Sequence, residues 1–133
     1  MTSPQMELPP ITLMRNDLDK LVRLANAAEG RFAQIGEFLA REIDRAKVVE
    51  GSEPQPGLVA MGTRVTFRDN VTGQERTITL VYPEEADLAQ NRISVLTPIG
   101  AALIGLFVGH SIEWRTVEGE TRSLTILAVE PAA

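Results

Sequence analysis

RVTFRDNVTGQERTITLVY, residues 64–82, decides how the fold is read. Val65 and Phe67 alternate with Arg64, Thr66 and Arg68, and Ile78 and Leu80 alternate with Thr77 and Thr79. A period of two built on β-branched and aromatic residues is the pattern of a half-buried strand. Asn70 to Gly73, between the two runs, carries the turn chemistry of a hairpin connection. Downstream, Arg92–Leu96 predicts a third strand, and all three are expected to pair antiparallel. Pro98 can begin a helix without losing a needed N–H, so PIGAALI predicts a short buried helix, bracketed at its end by Gly105 and Gly109. Ser111–Arg115 and Arg122–Val129 predict two more strands joined by a turn at Glu118-Gly119.

Upstream the period changes. Leu18, Leu21, Val22 and Ala25 recur at helical spacing, with Asn16 as the expected N-cap. After a break at Gly30, Phe32, Ile35, Leu39, Ile43 and Ala46 draw a second apolar stripe. So short a break folds consecutive helices back on each other, which predicts an antiparallel helical hairpin, a short coiled coil, over about residues 16–49. EGSEPQPG, residues 50–57, cannot continue a helix and suits a linker. The expected architecture is α+β. A helical hairpin occupies residues 1–50, a linker 51–57, and a mostly antiparallel sheet domain with one short helix 58–133.

Composition narrows the function. With no cysteine and one histidine in 133 residues, no disulfide, thiolate or His-rich zinc site can form. A net charge of −5 argues against nucleic acid as the main partner, since phosphate binding needs clustered Lys and Arg. A protein partner is expected, with no sequence-specific nucleic acid contact. No apolar run approaches the roughly 20 residues of a membrane span, and the first residues lack a signal peptide's basic and apolar regions, so a cytoplasmic protein is expected.

No constellation assembles a catalytic or metal site. Glu84, Glu85 and Asp87 read as an acidic turn, because no second cluster completes an acid/base pair. His110 would need a nucleophile and an orienting acid beside it to act as a base. Gly100, Gly105 and Gly109 fit neither phosphate-loop spacing and have no lysine after them, so packing and turn roles are expected. No enzyme activity and no cofactor is expected.

Residues 61–114 carry a family resemblance. TLVYP (79–83), ISV (93–95), PIGAALIGL (98–106), VG (108–109) and IEW (112–114) follow one another in an order that resembles the C-terminal domain of the bacterial Gre transcription elongation factors. They resemble still more the short Rnk-type members, regulators of nucleoside diphosphate kinase. With the hairpin the resemblance covers residues 11–130. It implies a sheet domain of the FK506-binding-protein type behind an antiparallel coiled coil. It also implies bacterial RNA polymerase as partner, the sheet domain docking at the rim of the secondary channel and the hairpin pointing inward. Gre docking uses a Ser-Pro loop, matched here by Thr97 and Pro98, so Leu96, Thr97, Pro98, Gly100 and Leu103 are the implied partner-binding residues. Leu96 stands where some Gre factors have an acid, and His110 where the family often has Asp. Transcript cleavage by Gre factors depends on tip acids that help bind Mg²⁺. The tip here, Glu29-Gly30-Arg31, has one carboxylate beside a cation, a poor Mg²⁺ ligand set. The expectation is a monomeric, non-enzymatic regulator that competes with Gre factors without stimulating cleavage. The alternatives are a dimerising interaction module built on the helical stripe, and a prolyl isomerase, which the spread of Phe67, Tyr82, Phe107 and Trp114 over separate elements disfavours.

Overall fold

The computed structural model describes residues 10–50, 55–115 and 118–131. A short strand β1 (Thr12–Met14) leads into α1 (Arg15–Ala27), a 3-10 turn at Gly30–Phe32, α2 (Ala33–Asp44) and a second short strand β2 (Lys47–Val49). Then come β3 (Arg64–Asp69), β4 (Glu75–Val81), β5 (Arg92–Ser94), α3 (Pro98–Leu103), β6 (Ser111–Arg115) and β7 (Thr121–Glu130).

The larger sheet has five strands in the order β5-β4-β3-β7-β6. β3 pairs antiparallel with β4 and with β7, and β6 pairs antiparallel with β7. β5 runs parallel to β4, which corrects the expected antiparallel pairing of the first three strands. The 3-10 turns between β4 and β5 carry the chain back to the starting end. Alternation sends Val65, Phe67, Ile78, Leu80, Leu124 and Ile126 to one buried face. Between Thr66 and Phe67 the register against β7 shifts by one residue, skipping Leu127, so Val129 also packs on the core.

The helical hairpin is present only in part. Its helices have 13 and 12 residues, and the chain leaves the second at Asp44 to form β2 instead of continuing to 49. β2 pairs parallel with β1, tying the hairpin's two ends together at its base. Asn16 lies inside α1, whose N-cap position is Met14 without a side-chain bond. Gly36 permits close approach of the two helices: a Cβ there would lie 2.9 Å from the Ala25 carbonyl oxygen. The hairpin is not a coiled coil. Leu21 and Leu39, both fully buried, belong to one core with Val65, Leu80, Leu103 and Leu124 of the sheet half, so the apolar stripes also close the sheet core. A sheet of FK506-binding-protein type is likewise not supported. Its apolar face is covered jointly by the hairpin and a six-residue helix, because α3 alone is too short to bury five strands. Of the expected linker, residues 51–54 lie outside the described residues, and Leu58 bridges to Phe107.

Candidate docking site

The segment that joins β5 to α3 is shaped by its own side chains. Ser94 Oγ accepts the Leu96 N–H at 2.9 Å. Thr97 Oγ1 donates to the Ser94 carbonyl at 2.8 Å and accepts the Gly100 N–H at 3.0 Å, which makes Thr97 a true N-cap. Pro98 follows at the first helical position, where it needs no N–H partner. Gly100 closes the turn: a Cβ there would overlap the Ser94 carbonyl oxygen and stand 2.8 Å from Val95 Cα.

The sequence-predicted residues therefore divide by exposure. Pro98 is exposed and Thr97 half-buried, whereas Gly100 is enclosed and Leu96 and Leu103 are 9% and 0% exposed. Leu103 belongs to the core, as does Leu96. Half-buried Ile99, which motif matching did not single out, stands beside Pro98. Its signal was its place one residue after a helix-starting proline.

The second predicted region is the hairpin tip. Glu29, Gly30, Arg31 and Phe32 are all exposed, and Phe32 keeps its ring under the Arg31 guanidinium at 4.9 Å. Gly30 adopts φ +59° in open space. The tip and the docking loop stand on different elements and are not brought together.

The other candidates resolve into structural roles. His110 Nδ1 accepts the Phe107 N–H at 3.3 Å, and its ring meets Phe107 edge-on, so it closes the turn before β6. Asp87 Oδ1 accepts the Ala89 N–H at 3.1 Å, and Glu84 and Glu85 stand exposed in the preceding 3-10 turn. Gly105, at φ +87°, lies against Ile11, where a Cβ would come within 2.8 Å of the Ile11 Cβ. Sequence reading missed the junction of hairpin and sheet. Asp17 on α1 accepts the Met61 N–H at 3.3 Å; burial raises its pKa, an effect that this hydrogen bond and Lys20 partly offset. Lys20 Nζ lies 4.8 Å from the centre of the Tyr82 ring, and burial together with the charges of Asp17, Glu84 and Glu85 pushes the Tyr82 phenol well above its ordinary range.

The family description "Transcription elongation factor, GreA/GreB, C-term" matches residues 53–131, and "Rnk N-terminus" matches residues 9–49. The chain belongs to the Rnk and GreA/GreB family. It is 36% identical to the regulator of nucleoside diphosphate kinase of Escherichia coli K12, over 90% of this chain and 89% of that one. It is 38% identical to the transcription elongation factor GreA of Sinorhizobium medicae over 77% of this chain, a match that spans 61% of that GreA. Among solved structures it resembles the prokaryotic transcription elongation factor GreA/GreB from Nitrosomonas europaea, with a TM-score of 0.70 and 34% identity over 92% of this chain and 98% of that one. This likeness to a GreA/GreB structure replaces the FK506-binding-protein expectation. The Rnk-type and GreA/GreB matches meet between β2 and β3, so the hairpin and the sheet half of this chain correspond to the two named parts of the family. Among the described residues no helix is long and apolar enough to cross a membrane.

Proposed function

We propose that this Rnk-type protein is a non-enzymatic regulator that binds bacterial RNA polymerase at its secondary channel and competes there with Gre factors without stimulating transcript cleavage. The observation that carries the reading is the Ser94–Gly100 loop, which holds Pro98 outward by hydrogen bonds already made in the free protein. A contact preorganised in this way loses little entropy on docking. Thr97, Pro98 and Ile99 form its surface. Leu96, Gly100 and Leu103 contribute from beneath by fixing the loop. The hairpin within residues 1–50 and the sheet domain from 58 act as an inserted arm and a docking body, and the protein works as a monomer.

The tip supports the absence of cleavage. Assisting a Mg²⁺-dependent reaction at a partner's centre requires oxygen donors whose charge is not cancelled. Glu29 is the one carboxylate of the tip, and Arg31 stands two residues on.

The experiment is a backtracked polymerase complex given Mg²⁺ and a cleavage-competent Gre factor. This protein is expected to suppress cleavage, and to produce none when it replaces the Gre factor. Pro98→Asp, which alters an exposed residue, is expected to weaken the suppression at least tenfold while the melting temperature stays unchanged. Cleavage by this protein alone, abolished by Glu29→Ala, would overturn the reading. Undiminished suppression by Pro98→Asp would move the interface elsewhere.

A further inference from the structure

A cavity of about 540 Å³ opens between α2, α3, Trp114 of β6, Glu118 and Arg122 of β7. Its size falls within the range of small-molecule sites. The physical origin is local. α3 turns Ala101 and Ala102 toward this space, side chains that end at Cβ, while the sheet contributes Trp114 and, paired opposite it in register, Arg122. α2 supplies the outer wall through Ile35 and Phe38. The result is an apolar chamber with two aromatic rings, formed where hairpin and sheet half meet.

The rim is polar in a specific way. Gln34, Glu37 and Arg41 recur along α2 at steps of three and four, so they share the face that overlooks the chamber. Glu37 and Arg41 stand one turn apart in the order that favours an ion pair. Yet neither makes an ion pair or hydrogen bond among the described residues. Arg45, the next cation along α2, is held by Glu42 at 2.6 Å, and Arg122 across the chamber faces Asp69 at 3.4 Å. Glu37 and Arg41, one turn apart on α2, and Glu118 of the lining are thus left without an ion pair among the described residues, above an apolar, aromatic-walled space.

We propose that this cavity binds a free α-amino acid with a large apolar side chain, aromatic in preference to aliphatic. Its ammonium meets Glu37, its carboxylate meets Arg41, and its side chain enters between Phe38, Trp114 and Ile99. The charge pattern selects this class. A polyanion would set its charge against both Glu37 and Glu118, and a polycation against Arg41 and Arg122. An internal residue of a bound protein segment carries amides in place of both charges and leaves the pair unanswered. Only a ligand with both charges on one carbon and an apolar branch matches rim and floor together. Bound there, it touches α2 and α3 at once, and Pro98 lines the same cavity, so occupancy joins the hairpin to the docking loop. The proposal stands on the cavity alone and is tested without polymerase.

The test uses the full chain, equilibrium dialysis with labelled L-phenylalanine, and the emission of Trp114, the single tryptophan of the protein. Saturable uptake accompanied by a change in Trp114 emission is expected. Glu37→Gln and Arg41→Gln, both at exposed positions, should each weaken it at least tenfold with an unchanged melting temperature. Ala101→Leu, which fills the chamber, should abolish uptake; because Ala101 is buried, the two rim variants carry the decision if it fails to fold. N-acetyl-L-phenylalanine amide stands for a residue inside a protein segment and is expected to bind at least tenfold more weakly than the amino acid. Absence of saturable uptake at millimolar L-phenylalanine overturns the proposal. So does indifference to both rim substitutions. Equal or tighter binding of the amide would make the cavity a seat for a partner's side chain, which also overturns it.

Discussion

The docking loop and the hairpin tip are both short connections, both hold a glycine, and both are proposed to meet the polymerase, yet they are built in opposite ways. Between Ser94 and Gly100 the conformation is set from within by two hydroxyls bonded to the backbone, and Gly100 sits where no Cβ fits. From Ala28 to Phe32 no side chain makes a hydrogen bond among the described residues, and a Cβ on Gly30 would meet nothing within 4 Å. The loop's shape is therefore a property of its packing, while the tip's shape follows from the two helices that lead into it. A surface of the first kind can recognise a rigid partner at small entropic cost. One of the second kind can change its side chains without changing its shape.

The largest expected effect separates the two glycines. Gly100→Ala forces a methyl group against the Ser94 carbonyl oxygen and Val95 Cα, backbone atoms that cannot step aside as a side-chain end could. A loss of about 3 kcal/mol is expected in chemical denaturation, at the upper end for overpacking. Gly30→Ala adds only the strain of a left-handed φ in open space, and should cost about 1 kcal/mol. Equal losses at the two positions would break the contrast.

The smallest effect tests the junction between these extremes. Burial raises the pKa of Asp17, so the folded protein favours the protonated carboxyl relative to the unfolded chain. The contribution of Asp17 to stability is therefore fullest below the unfolded value of about 3.9, and is lost as pH rises through the raised folded value. Asp17→Asn keeps an acceptor for the Met61 N–H and removes the half-buried charge. At pH 7 it should stabilise by no more than about 0.5 kcal/mol, with the gain vanishing toward pH 3 in paired denaturation curves. Destabilisation at pH 7 would show that the charge itself is needed, most directly by Lys20.

What was legible in the residues follows from how local each signal is. The alternation in β3, β4 and β7 and the proline at the start of α3 were read correctly, because period and proline act within a few residues. β1 and β2 were not, since three residues are too few to show a period, and Lys47-Val48-Val49 continues the apolar content of the helix before it. Parallel pairing of β5 was hidden for another reason: strand pattern reports burial and says nothing of partner direction. At the proposed docking loop, the place of Thr97 and Pro98 at the start of α3 was legible in the motif. The burial of Leu96 was not, because an apolar run does not say which of its members turn outward; Leu103 was read as part of a buried helix and also named as a contact residue, and the first of these is what the fold shows. The chamber draws on residues as far apart as Gln34 and Arg122, a proximity that only the closed fold creates.

The parallel ladder at the hairpin's base has a mechanical consequence. Thr12 donates its N–H to the Gly105 carbonyl at 3.0 Å, Lys47 donates to the Ile11 carbonyl at 3.0 Å, and Gly105 lies just beyond the last turn of α3. The arm is therefore clamped at its base as well as packed through Leu21 and Leu39, and α1 carries its tip roughly 20 Å from the ladder at 1.5 Å per residue. A sideways force on Phe32 cannot be absorbed by swivelling at a single loose strand, since both ends of the arm are stitched to each other and one is stitched to Gly105. It arrives as a torque on the chain that leaves α3. Resistance met at the far end would thereby reach the loop proposed above as the docking surface.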